Sequence, residues 1–246
     1  MTRVKICGCR SVETALLAAE AGADFVGLMF APNSRRRIGI EDASEIVRAL
    51  GTSLGELEQN EPPALFRTES DDLRSWFEHG ASALDRMLQR KRPLTVGVFA
   101  GNDPEEINEI ADECGIDLIQ LSGGEPWGAC LLANRQVIKA VHVAAGEDAA
   151  AALSRIETGS AMAVMLDKGS DAAFGGTGET LDWRVAAQVA AAMPMWLAGG
   201  LTRDNVAEAI RAVRPWAVDV SSGVETDGTK DVAKISAFIA AVRGAQ

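Results

Sequence analysis

Four short apolar runs end in side chains able to exchange protons or bind polar groups: Lys5-Ile6-Cys7-Gly8, Gln120-Leu121-Ser122-Gly123, Met165-Leu166-Asp167 and Asp219-Val220-Ser221-Ser222-Gly223. If each run is a strand, its polar end lies at the C-terminal rim, where an α/β barrel keeps its chemistry, while the apolar residues beneath only pack. Taken singly, Cys7 serves equally well as a small buried apolar residue. Asp167 serves equally well as the cap of a turn or helix.

Three glycine-rich segments follow in the C-terminal half: Gly175-Gly176-Thr177-Gly178, Gly199-Gly200-Leu201 and Ser221-Ser222-Gly223. Glycine lets the backbone approach a ligand closely, and N–H groups at a helix start favour a phosphate. The last two segments directly follow the last two apolar runs, the loops in which barrels often hold phosphate. Tight turns between helix and strand account for a single Gly-Gly pair equally well.

The elements that must carry these residues are legible as an alternation. Eight runs rich in Val, Ile, Leu and Phe read as strands: Val4–Cys7, Phe25–Phe30, Leu94–Phe99, Leu118–Leu121, Val137–Val143, Ala163–Asp167, Met195–Leu197 and Ala217–Ser221. Runs apolar on both faces suit parallel strands covered by helices, so the pattern predicts a single (β/α)8 TIM barrel over residues 1–246, with an open doubly wound sheet as the alternative. Ser11 is placed to cap a first helix whose face is Val12, Ala15, Leu16, Ala19 and Ala23. Asp103-Pro104 opens another with Glu105 and Glu106 in its first turn, and Thr202 or Asp204 precedes a third.

One interval breaks the rhythm. Phe25 and Leu94 stand about 70 residues apart, where about 20 to 30 separate most run starts. The excess, about 51–92, predicts an insertion between the second helix and the third strand, with Leu73, Trp76, Phe77, Ala81, Leu84, Met87 and Leu88 on one helical face. A helix-to-strand connection lies at the N-terminal rim, away from the chemistry. The insertion is then either folded back on the barrel wall or used as a subunit contact.

Composition excludes other classes. With 24 basic and 35 acidic side chains in 246 residues, the net charge is −11, which argues against nucleic acid or anionic membrane as a partner. An anionic ligand must therefore be held locally. The N-terminal residues lack the apolar core of a signal peptide and no later run is long enough to span a bilayer, so a cytosolic setting is expected. Cys7, Cys9, Cys114 and Cys130 form no paired motif, and His79 and His142 stand alone, so neither a metal site nor a disulfide framework is indicated.

Together, Val4-Lys5-Ile6-Cys7-Gly8, Gly22-Ala23-Asp24-Phe25-Val26-Gly27, Ser34-Arg35-Arg36, Val96-Gly97-Val98-Phe99, Gln120-Leu121, Leu166-Asp167, Gly175-Gly176-Thr177-Gly178, Asp182-Trp183, Gly199-Gly200-Leu201 and Val218-Asp219-Val220-Ser221-Ser222-Gly223-Val224-Glu225 resemble the phosphoribosylanthranilate isomerases. The motifs run in order from residue 2 to about 240, the insertion excepted. The chain departs from the family at Ser122, where a histidine is common.

The resemblance implies an Amadori rearrangement of N-(5′-phosphoribosyl)anthranilate, an aminoaldose, to the 1-deoxyribulose 5-phosphate aminoketose in tryptophan biosynthesis. No cofactor is implied. A carboxylic acid opens the furanose ring and a thiolate removes the C2′ proton, and by motif position these are Asp167 and Cys7. Such an acid needs a raised pKa and such a base a lowered one. Lys5 and Cys7 share one side of an extended strand, so Lys5 is expected below the thiol. The resemblance gives Arg36 the anthranilate carboxylate, although three consecutive arginines ordinarily mark a solvated face. It places Asp219 near the substrate amine and Gly199, Gly200, Ser221, Ser222 and Gly223 at the phosphate, and it matches Gly176 and Gly178 to a loop over the site. The implied partner is a small phosphosugar bound by a monomer or homodimer. A broader aminoaldose isomerase and a silent phosphosugar binder are the competing readings.

Overall fold

A computed structural model describes residues 1–57, 72–168 and 181–245. Eight parallel strands close in sequence order into a barrel: β1 (Arg3–Cys7), β2 (Phe25–Met29), β3 (Leu94–Phe99), β4 (Leu118–Leu121), β5 (Gln136–Val143), β6 (Ala163–Lys168), β7 (Trp196–Leu197) and β8 (Ala217–Val220). Every expected run is therefore a strand, and pairing of β1 with β8 excludes the open sheet. The helices are α1 (Val12–Glu20), α2 (Ile40–Ala49), α3 (Leu54–Leu57), α4 (Leu73–Arg90), α5 (Pro104–Cys114), α6 (Ala149–Ser154), α7 (Trp183–Ala192), α8 (Val206–Val213) and α9 (Val232–Gly244), with a short 3-10 helix, Trp127–Leu132, after β4.

Local chemistry sets several boundaries. The Ser11 side chain accepts the Thr14 N–H at the start of α1, and Asp103 accepts the Glu105 N–H ahead of Pro104 in α5. Two details differ from the sequence expectation. The buried face of α1 is Ala15 and Ala18, with Leu16 exposed and Ala23 beyond the helix, because the small residues let α1 sit close to the sheet. The cap position of α8 is Asn205, whose side chain turns back to accept from Thr202 N and donate to Gly200 O.

Alternation along the strands divides the core. Phe25, Val96, Leu118, Ile138, Met165, Trp196 and Ala217 fill the barrel, while Val4, Val26, Ile119, Val164 and Val218 pack outward against the helices. The helix α4 lies across the N-terminal opening. Its Ala83, Leu84 and Leu88 join the barrel interior, Trp76 Nε1 donates to Ala161 O before β6 at 2.7 Å, and Asp85 accepts from Arg3 of β1 at 2.7 Å. Thus α4 closes the opening and does not lie on the wall, since its apolar stripe meets the buried Trp196 and the adjoining Trp216. At the same end, Asp117 takes Lys91 Nζ at 2.7 Å together with the N–H groups of Leu54 and Thr95, a buried charge fully supplied with donors.

Candidate active site

The inward positions at the C-terminal ends of the strands bring together Cys7 from β1, Gln120 from β4, His142 from β5, Asp167 from β6 and Asp219 from β8, each two residues beyond an inward apolar neighbour or its equivalent. Cys7 is opposite Gly27 in the β1–β2 register, and a Cβ on Gly27 would stand 2.9 Å from Cys7 Sγ and 3.1 Å from Lys5 Cε. Only glycine leaves room there for the thiol and the lysine stem. Cys7 belongs to the barrel interior whereas Cys9 packs into the outer layer, so strand geometry separates two neighbouring thiols.

Lys5 is fully buried beneath the mouth and its Nζ lies 2.9 Å from Asp219 Oδ1. Burial alone would lower the ammonium, but Asp219 and then Cys7 outweigh it and hold Lys5 above its ordinary value. Burial pushes the Cys7 thiol up; Lys5 draws it back, Asp219 opposes Lys5, and Lys230 assists it. Burial likewise raises the Asp167 carboxyl, with His142 opposing, Asp219 reinforcing, and the Lys168 N–H and Lys5 opposing. Cys7 and Asp167 therefore share Lys5 and Asp219 as electrostatic neighbours. A carboxyl shifted by burial toward its neutral form and a thiol beside a buried cation are suited to give and take protons at one small ligand.

The glycine loops adjoin this centre. Gly199 has φ of +86°, and a Cβ there would stand 3.0 Å from Asp167 Oδ1. Gly223 crosses Leu201 so closely that a Cβ would lie 1.9 Å from its carbonyl oxygen, which joins the Gly199-Gly200 and Ser221-Ser222-Gly223 turns into one surface. Ser221 Oγ donates to Cys7 O at 3.1 Å and Lys230 Nζ donates to Ser221 O at 2.8 Å, tying that surface to β1. Gly176 and Gly178 lie outside the described residues.

Of the three arginines, Arg35 and Arg37 are exposed and Arg36 is buried. Its Nε and Nη2 donate to the two oxygens of Glu225 at 2.6 and 3.0 Å, leaving Nη1 outside that bidentate pair. Burial favours a neutral Glu225, but Arg36 and Lys230 outweigh it and hold the carboxyl at about 2.

The family model described as N-(5′-phosphoribosyl)anthranilate isomerase matches residues 63–241. The chain is 43% identical over 246 residues to the protein of that name from a Roseiflexus species, covering 100% of this chain and 99% of that one. It is 38% identical over 250 residues to the one from Dehalococcoides mccartyi, covering 100% and 97%. This chain belongs to the phosphoribosylanthranilate isomerase family. The Thermotoga maritima family member superposes with a TM-score of 0.74 at 34% identity, covering 99% of this chain and 100% of that one. A further family structure, in complex with reduced 1-(o-carboxyphenylamino)-1-deoxyribulose 5-phosphate, superposes with a TM-score of 0.70 at 32% identity, covering 99% and 100%.

Within this isomerase scaffold, three residues at the site escape the sequence reading. Glu225 appears there only as a motif letter; its contact with Arg36, and that of Lys230 with Ser221, arise from the hairpin of Glu225–Thr226 with Thr229–Lys230. His142 reads as an isolated histidine. Its signal is positional: it is four residues beyond inward Ile138 and near the end of β5, so it points into the mouth.

Proposed function

We propose that the chain performs its family's rearrangement of N-(5′-phosphoribosyl)anthranilate to 1-(2-carboxyphenylamino)-1-deoxyribulose 5-phosphate, with Asp167 as general acid and Cys7 as general base. The observation that carries this assignment is the buried Lys5–Asp219 pair, which acts on both groups.

In this reading, the protonated Asp167 gives its proton to the furanose ring oxygen as the C1′–O bond breaks, and the anilino nitrogen supplies the electrons that form the iminium. The Cys7 thiolate then takes the C2′ proton, and the electrons of the C–H bond neutralise the iminium to an enolamine. Tautomerisation moves a proton to C1′ and yields the ketone without net oxidation. Solvent exchange reloads the acid and deprotonates the thiol. The developing positive charge favours the thiolate in the step that needs it, offsetting the effect of burial.

Arg36, held by Glu225 along one edge, would offer its remaining Nη1 to the anthranilate carboxylate. Asp219 would lie by the substrate amine. Gly199, Gly200, Ser221, Ser222 and Gly223 would hold the phosphate through main-chain N–H groups, a mode suited to an acidic protein. Gly176 and Gly178 are assigned by motif to the loop over the site.

Mixing the purified protein with enzymatically generated phosphoribosylanthranilate tests the reading. We expect catalytic loss of anthranilate-type fluorescence. Persistence of the signal at saturating protein would overturn it.

A further inference from the structure

His142 is the register partner of Asp167 across β5 and β6, and both side chains occupy inward positions at the mouth. Its Nε2 lies 2.9 Å from Ser122 O on the neighbouring strand end. A carbonyl only accepts, so this contact requires a proton on Nε2 and turns the imidazole's other edge away from Ser122. The ring is half-buried, so solvent would only partly screen a charge on it. Arg155 donates to His142 O at 3.0 Å and pairs with Glu147, which fixes the backbone on the outer side.

We propose that His142 is a positioning residue for Asp167, anchored on Ser122 and presenting its charge to the neighbouring carboxyl, so that it governs how firmly the acid holds its proton.

The surrounding charges show why this position matters. Asp167 also faces Asp219 from β8, which favours its neutral form, and Lys5 from β1, which favours the anion. Lys5 and Asp219 are bound to each other at 2.9 Å, so their effects on a third group partly cancel. Among the neighbouring groups His142 opposes the effect of burial on Asp167 most, and its strand β5 flanks β6 on the side away from β7, β8 and β1. An imidazolium there draws Asp167 toward the anion; a neutral ring leaves the effect of burial, which favours the neutral acid, less opposed. Gln120 Nε2 donates to Ser122 Oγ at 2.9 Å and steadies the residue on which the imidazole rests.

The proposal rests on Asp167 being the acid, but it can be tested without turnover. Carboxyl carbon NMR of the resting protein, with the Asp167 signal assigned by its loss in Asp167→Asn, reads the protonation of this one group. His142→Gln retains an N–H donor for Ser122 but cannot carry charge; His142→Lys retains a cation without the ring. We expect the Asp167 midpoint to move to higher pH in His142→Gln, by several tenths of a pH unit or more, and to stay at or below the wild-type value in His142→Lys. The limb of the kcat/KM profile assigned to Asp167 should move with it. A merely structural histidine would leave the midpoint unchanged in the folded Gln variant, and that result would overturn the proposal. If Gln does not fold, a Lys variant with a raised midpoint would do the same. A midpoint that moves in a protein without isomerase activity would sink the functional reading and leave the electrostatic coupling standing.

Discussion

Lys5 Nζ lies 2.9 Å from Asp219 Oδ1, and the two residues are also register partners across the β1–β8 seam that closes the barrel. The lysine is fully buried and the aspartate side chain is 11% exposed, so solvent screens neither charge well. Lys5 favours the ionised form of both Cys7 and Asp167, and Asp219 favours the neutral form of both. The pair therefore trims two proton-exchanging groups while adding no net charge of its own.

Removing the cation should expose that balance. In Lys5→Met, both Cys7 and Asp167 lose a stabiliser of their anions, so the Cys7 thiolate becomes scarcer. We expect Cys7 alkylation by iodoacetamide at pH 8, followed by peptide mass spectrometry, to slow by roughly 10-fold. An unchanged rate would show that Lys5 serves Asp219 alone.

Direct removal of the proposed acid or base should act on turnover. Cys7→Ala and Asp167→Asn are each expected to lower kcat by at least ~10²-fold, within the usual contribution of general acid–base catalysis. Steady-state fluorescence assays check this, and a near-normal rate in either variant reassigns that role.

In the proposed reading Arg36 satisfies Glu225 and the anthranilate carboxylate at once, which a planar guanidinium can do with separate edges and an ammonium cannot. Arg36→Lys should raise KM by roughly 10- to 100-fold, corresponding to the loss of about one charge-assisted hydrogen bond. The effect on kcat should be smaller, since no bond is made or broken at the carboxylate.

Glu225 should make stability depend on acid. Its carboxyl is held at about 2, below the ordinary 4.5, so the stabilisation is complete above the unfolded value and is lost as pH falls from there toward 2. At neutral pH it amounts to about 2 to 3 kcal/mol; the Arg35 contact adds little because that side chain is 61% exposed. Urea unfolding of the native protein and Glu225→Gln should show a gap that narrows across this acid range. A gap constant from pH 7 to pH 3 would be incompatible with the assignment.

The opposite end of the barrel should separate stability from chemistry. Leu84 of α4 is fully buried in the interior cluster, so Leu84→Ala should cost about 2 to 5 kcal/mol in denaturant unfolding. Its kcat should stay within a factor of about two at temperatures where the protein remains folded, because α4 lies at the rim opposite Cys7 and Asp167.

Much of this protein was determined by its sequence alone. Apolar runs with polar ends are a local pattern, and a strand apolar on both faces has few places to go except a sheet covered by helices. That is why all eight strands, the caps at Ser11 and Asp103, and the collection of Cys7, Asp167 and Asp219 at one rim were legible before any coordinates. The identity of the family followed from motifs in order.

What only the tertiary structure decided concerns partners distant in the chain. Periodicity marked an apolar face on α4, but its place across the barrel opening depends on Trp196 and Trp216. Three adjacent arginines look alike in sequence; Arg36 alone is buried, and Glu225, nearly two hundred residues later, takes its guanidinium with both carboxylate oxygens. Likewise, His142 gained meaning only when register set it beside Asp167 and strand order set Ser122 within reach. Short-range patterns specify which face a side chain takes, whereas charge acts through space, and only closure of the barrel fixes which charges meet.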